Sequence, residues 1–173
     1  MEPNIFSGTK APANLADIEA IEQAYGFTLP EDYKAHILQH NGGTPTRRTF
    51  LQPVWNEPSR FVEREVNDFY SIKNGGDTLE SALKSLRDQL HDDLVPFADE
   101  TDGDQFVLSV GTKDYGAVYY ISHEFYTPPE YDYDEEADTS TPPAPMDYGE
   151  GVYFLAPSFT AFLEGLVAGT PVT

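Results

Sequence analysis

Two histidines four residues apart, His36 and His40, are the first residues whose spacing suits chemistry. On a helix that spacing puts both imidazoles on one face, as in the zinc motif H-E-x-x-H. The intervening residues are Ile37, Leu38 and Gln39, so the glutamate that would act as base is absent. His40 also falls where a last helical turn exposes free carbonyls, for which a ring donor is ordinary. The run Asp99-Glu100-Thr101-Asp102-Gly103-Asp104 invites a calcium reading. Glu100 and Asp102 fit an EF-hand loop, but Ala98 and Ser109 stand where it needs an acid or amide and a glutamate. An acidic turn between strands explains the run more simply. The other histidines, His91 and His123, stand alone. No G-x-S-x-G, phosphate-binding or dinucleotide fingerprint occurs, and the pairs Gly42-Gly43 and Gly75-Gly76 read as turns. We therefore expect no metal, no cofactor and no catalytic constellation. A small hydrolase with a carboxylate pair stays as a minor alternative, to be judged by whether a pocket gathers such a pair.

The richest run is Glu130 to Asp138. Acids occupy six of its nine positions: Glu130, Asp132, Asp134, Glu135, Glu136 and Asp138. Tyr131 and Tyr133 lie among them. Aromatic rings supply contact area and stack on guanidinium groups, while carboxylates steer and pair with cations. These eight residues are the candidate surface for a basic protein partner. The competing reading is a solvated loop. The chain as a whole leans the same way, with 10 Lys+Arg against 30 Asp+Glu and a formal charge of −20. After Lys113 the last 60 residues hold 11 acids and no Lys or Arg. Nucleic acid is an unfavourable partner, because its phosphates would be repelled.

The 173 residues are enough for one domain with a real core. Cysteine is absent, which removes disulfide frameworks and thiol chemistry. No apolar run is long enough to span a bilayer, and the start MEPNIFSGTKAPANL lacks the marks of a signal peptide. We expect a cytoplasmic protein of undetermined oligomeric state.

The elements that must position these residues follow from periodicity. After an irregular arm over 1–13, Asn14 caps a helix with Asp17 three residues on. Leu15, Ile18, Ile21 and Tyr25 form its stripe, Glu19 and Glu22 its solvated side, and Gly26 its end. Pro30 opens a second helix in its first turn. Tyr33 and Ile37 share one face, and Asn41-Gly42-Gly43 stops it near His40. Phe50 to Trp55, broken by Pro53, reads as an irregular or edge strand, and Glu57-Pro58-Ser59 as a turn. Residues 61–72 are ambiguous, with the end Asp68 to Ile72 favouring strand. Asp77 and Glu80 look like a capping box for a helix over 78–90, striped by Leu79, Leu83, Leu86 and Leu90. Strands follow at 94–98, 105–110 and 117–122, joined as an antiparallel meander. Residues 127–149, with five prolines, read as a long loop or partly disordered insertion. A strand at 151–156 precedes a last helix opened by Pro157-Ser158. Phe159, Phe162, Leu163 and Leu166 form its stripe, and Gly169-Thr170-Pro171 stops it.

Three segments in this order resemble the SUKH superfamily, which contains yeast cell-wall-assembly regulators and many bacterial immunity proteins. They are IEAIEQAYGFTLPEDYKAHILQHNGG, VPFADETDGDQFVLSV with GAVYYISHE, and APSFTAFLEGL. The resemblance covers about residues 14–168 and implies one α+β domain. An N-terminal helical pair would pack on a mostly antiparallel sheet, with a middle and a C-terminal helix. Its matched positions, Pro30, Tyr33, Asn41, Gly42, Gly43, Pro96, Phe97, Gly103, Asp104 and Gly116, are expected to be structural. The resemblance also implies a non-enzymatic immunity protein that neutralises a cognate polymorphic toxin. With the acidity, the expected partner is a basic toxin, a nuclease in the sharper version. The alternative is a regulatory or scaffold module of the same fold that binds endogenous proteins.

Overall fold

Strands β6 (Leu94–Asp99), β7 (Gln105–Ser109) and β8 (Val118–Ile121) pair antiparallel, as the short turns between them require. In the computed structural model, which describes residues 3–54 and 56–169, this meander is the centre of a five-stranded sheet. Its outer strands are β5 (Asp68–Phe69), beside β6, and β11 (Val152–Ala156), beside β8. Alternation divides its side chains between two faces. Val95, Phe106, Leu108, Val118 and Tyr120 face one core cluster. Leu94, Val107, Tyr119 and Ile121 face a second. Covering both faces explains why β7 and β8 are buried at nearly every position.

Among the described residues four helices serve the first face. Helix α1 (Leu15–Tyr25) has the expected capping box: Asn14 Oδ1 accepts from Asp17 N at 2.9 Å, and Asp17 Oδ2 accepts from Asn14 N at 3.0 Å. Ile18 and Ile21 are buried, but Leu15 is half exposed, and Ala13 takes an inward position. Glu22 turns inward instead of being solvated. Its carboxylate accepts from Leu29 N at 2.7 Å and lies 3.7 Å from Lys34 Nζ, so it closes the loop to the next helix. Helix α2 (Glu31–Gln39) starts one residue later than expected, with Pro30 extended (φ −57°, ψ 143°) as its cap. Helix α3 (Leu79–Leu86) is capped by Thr78, not Asp77. The Thr78 hydroxyl accepts from Ser81 N at 3.1 Å, while Asp77 is held by its carbonyl, which accepts from Ser71 N. That helix ends four residues earlier than the leucine stripe implied, and Leu90 is buried from the following turn. Helix α4 (Phe159–Glu164) is capped by Ser158 and stops at Gly165 rather than Gly169. Thr170 and Pro171 lie outside the described residues. Aromatic rings lock α2 and α4 onto the sheet: Tyr33 meets Phe159 edge-on at 5.0 Å, and Phe97 meets Phe159 at 5.3 Å and Phe162 at 5.4 Å.

The stretch left ambiguous by sequence forms a second sheet. Strands β3 (Thr49–Val54) and β4 (Glu57–Glu65) make a hairpin, and β12 (Leu166–Val167) adds beside β3. Residues 57–59 are strand, not turn; the reversal lies just before them, with Asn56 at φ +70°. Trp55 is outside the described residues. Pro53 is tolerated because β12 pairs only with Phe50 and Thr49, leaving Pro53 a partner on one side only. Only Asp68–Phe69 of the expected strand 68–72 is ladder-paired. The N-terminal arm contributes β1 (Phe6–Ser7), paired with β2 (Thr44–Pro45). Residues 132–141 form the hairpin of β9 (Asp132–Asp134) and β10 (Thr139–Thr141). The architecture is the expected α+β fold.

Candidate protein-binding surface

Within the long loop 127–149, residues 132–141 form the β9–β10 hairpin, and the stretches on either side of it, 128–131 and 142–149, carry no regular ladder. The neck of the loop is closed by a reciprocal pair of hydrogen bonds between Thr127 and Glu150, both 3.0 Å. The close approach there requires glycine at 149: at φ +89°, a Cβ would lie 2.0 Å from the Thr127 carbonyl oxygen. Tyr148 then enters the second core cluster and is buried. Its hydroxyl donates to Asp114 Oδ2 at 2.5 Å, beside the Tyr119 hydroxyl at 2.6 Å; the Ser109 hydroxyl donates to Oδ1 at 2.6 Å. One carboxylate thus gathers three hydroxyls. Burial first, then the bond to Asp114, holds the Tyr119 and Tyr148 phenols far above their ordinary range, so both stay donors.

Two further ties reach the segment that follows α3. His91 Nε2 lies 2.9 Å from the Ala144 carbonyl, and His91 Nδ1 accepts from Asp93 N at 3.0 Å. With Nδ1 accepting, Nε2 is the ring nitrogen that donates to the Ala144 carbonyl. The Tyr126 hydroxyl donates to the Gln89 carbonyl at 2.5 Å.

On this base the tip has its own order. Asp134 Oδ1 accepts from Glu136 N (3.0 Å) and Ala137 N (3.3 Å), an Asx turn that Asp138 completes at φ +53°. The Tyr133 hydroxyl donates to Asp138 Oδ1 at 2.5 Å, which raises the phenol above its ordinary value. Tyr133 pairs with Ser140, while Asp132 and Asp134 pair with Thr141 and Thr139. Alternation therefore puts Tyr133 on one face and Asp132 and Asp134 on the other, while Tyr131 immediately precedes the strand. Tyr131 and Tyr133 are more than half exposed, and Glu130, Glu135 and Glu136 share the same projection. The structure brings all eight candidate residues together.

The family-matched residues lie elsewhere, in framework roles. Pro30 caps α2 and Tyr33 fills the core. Asn41 staples three segments: its Nδ2 donates to Ala11 O (2.7 Å) and Ile72 O (3.0 Å), and its Oδ1 accepts from Ile72 N (2.7 Å). Gly42, Gly43, Gly103 and Gly116 all have positive φ. Pro96 sits beside an irregularity of β6, and Phe97 is fully buried. Asp104 accepts from the Tyr120 hydroxyl, from His123 N at 2.8 Å and from His123 Nδ1, tying the start of β7 to the end of β8. The hydrogen bond to Asp104 raises the His123 pKa. His36 and His40 pack around Phe6, with ring centroids 4.9 Å away in each case. Glu100 and Asp102 form a hydrogen-bonded turn, Asp102 N donating to Glu100 Oε2 at 3.0 Å. Sequence reasoning missed Asp114, the centre of the hairpin's anchor. Its only signal was an acid beside Tyr115-Gly116, facing strands unusually rich in tyrosine.

With this arrangement in place, comparison with known proteins is informative. The model of the SMI1 / KNR4 family (SUKH-1) matches residues 12–165, and the chain belongs to that family. A 33-residue stretch is 54% identical to a Bacillus subtilis (strain 168) protein described as "Uncharacterized protein YnaB". That stretch is 19% of this chain and 23% of the relative's own length. Among the described residues no helix is long and apolar enough to cross a membrane.

Proposed function

We propose that this protein is an immunity protein that neutralises a cognate polymorphic toxin by binding it directly, with the β9–β10 hairpin as the leading contact. The observation that carries the role is membership of the SMI1 / KNR4 (SUKH-1) family along most of the chain. The hairpin supports the location: it is exposed, held in shape by its own turn bonds, and offers tyrosines among carboxylates. A projection shaped by its own hydrogen bonds loses less conformational entropy on binding than an unpaired loop would. The partner's matching surface is basic. A nuclease is the sharper case, because its substrate groove must be cationic, and an acidic protein seated there excludes nucleic acid by occlusion. No catalytic step is assigned to this chain.

The test is titration of the toxin domain encoded beside this protein with the purified chain. One equivalent should abolish toxin activity, with fast and salt-sensitive association. Stoichiometric binding that leaves the toxin active would sink the occlusion mechanism.

A further inference from the structure

A second surface, remote in chemistry from the acidic hairpin, lies where the two main sheets meet. The inner face of the β3–β4 hairpin runs past Phe50, which is buried, to Gln52, Val54 and Val62. There it overhangs β11, the outermost strand of the five-stranded sheet. The space between them is a groove of about 680 Å³ lined mainly by apolar side chains, Tyr153 and Phe154 among them. Phe154 is 55% exposed and Val62 36% exposed, so the far end is open to solvent.

The inner end is headed by Arg64. On β4 it stands opposite the buried Phe50. Its Nε donates to Gln52 Oε1 at 2.8 Å, and its guanidinium carbon lies 4.2 Å from the Tyr120 ring centroid and 5.3 Å from that of Tyr153. Nearby arginines are engaged by acids: Arg48 pairs with Glu65 at 2.6 Å and Arg60 with Glu57 at 3.2 Å. Among the described residues Arg64 has no carboxylate partner, in a chain with three acids for every Lys or Arg. Two tyrosine rings and an amide fix its plane and leave its terminal N–H groups for a planar, bidentate acceptor.

We propose that this groove binds the extended, apolar C-terminal tail of a partner protein, which adds as a strand to β11 and seats its terminal carboxylate on Arg64. Three features converge on that occupant. The edge strand offers main-chain donors and acceptors over Val152–Phe154, before the irregularity between Phe154 and Ala156 interrupts the ladder. Only a short extended segment fits that length. The apolar walls match side chains on alternate residues. The single cation at the inner end, with an opening at the other, matches a chain terminus by charge.

An array of immobilised hexapeptides rich in Val, Thr and aromatic residues tests this, each made with a free C-terminal carboxylate and as the carboxamide. The labelled full chain should be retained on free acids about tenfold more strongly than on the matching amides. Arg64→Gln should erase that difference, with the thermal melt showing whether the variant folds. Phe154→Asp changes an exposed rim position, and should abolish retention of both peptide forms whatever Arg64→Gln does to folding. Tyr133→Ala, on the hairpin, should leave retention unchanged, which separates this site from the toxin-binding reading. Equal retention of acids and amides by the native chain, retention that follows internal Asp or Glu instead, or no retention at all would overturn the proposal.

Discussion

At residue scale, buried polar groups carry distinct costs. His36 is buried among Phe6, Phe69 and Phe159, with the His40 ring 5.4 Å away at the end of its helix and Arg47 and Glu164 lining the adjoining cavity. Its Nε2 has no hydrogen-bond partner among the described residues. Burial first, and the charge of His40 second, lower its pKa from 6.5 to about 4. The folded state therefore holds this imidazole neutral where the unfolded chain takes up a proton. The stability it contributes is intact above 6.5 and is lost as pH falls toward 4, by up to about 3 kcal/mol. His123 acts in the opposite sense: its raised pKa adds stability at low pH that fades as pH rises through the raised value. Replacing His36 by Phe keeps the packing and removes the titration. Urea unfolding at pH 7 and pH 4.5 should show a smaller acid loss in His36→Phe than in the native chain. An equal loss in both would place the acid sensitivity elsewhere.

At the scale of elements, the insertion is held by what it buries. Tyr148→Phe keeps the ring against His91 and Tyr119 but removes one donor from Asp114. It should cost about 1–2 kcal/mol in urea unfolding, since Ser109 and Tyr119 still satisfy that carboxylate. No measurable loss would mean that Asp114 does not anchor the hairpin. The same elements show what a sequence discloses. Helices α1 and α3 and the meander were legible because their apolar periods are long and their caps local, as with Asn14 and Asp17. The β9–β10 hairpin was not, because its strands are three residues each, polar on both faces, and shaped by Asp134 and the distant Asp114. Strand β12 was hidden because two residues carry no period. The candidate residues Glu130 to Asp138 were legible by composition, but the separation of Tyr133 from Asp132 and Asp134 onto opposite faces was not, since it depends on their pairing with Thr139–Thr141.

At the scale of the whole molecule, charge governs encounter. A net charge of −20 attracts a basic partner over distances set by the Debye length, about 8 Å at physiological salt. Steered association of this kind approaches ~10⁸ M⁻¹s⁻¹ at low salt. The acids of the hairpin are part of that field and, in the function proposed above, also the contact surface, so their removal should slow association more than their share of the net charge alone would. The direct measurement is stopped-flow association of the cognate toxin domain with the native chain and with a hairpin variant. In the variant Glu130, Glu135 and Glu136 become Gln, Asp132, Asp134 and Asp138 become Asn, and Tyr131 and Tyr133 become Ala. The amides preserve the turn acceptors, so the melting temperature reports whether the fold is kept. The account predicts association slowed by about tenfold or more, a shallower salt dependence, and loss of toxin neutralisation in a folded variant. A folded variant that associates at the native rate and still silences the toxin would contradict it.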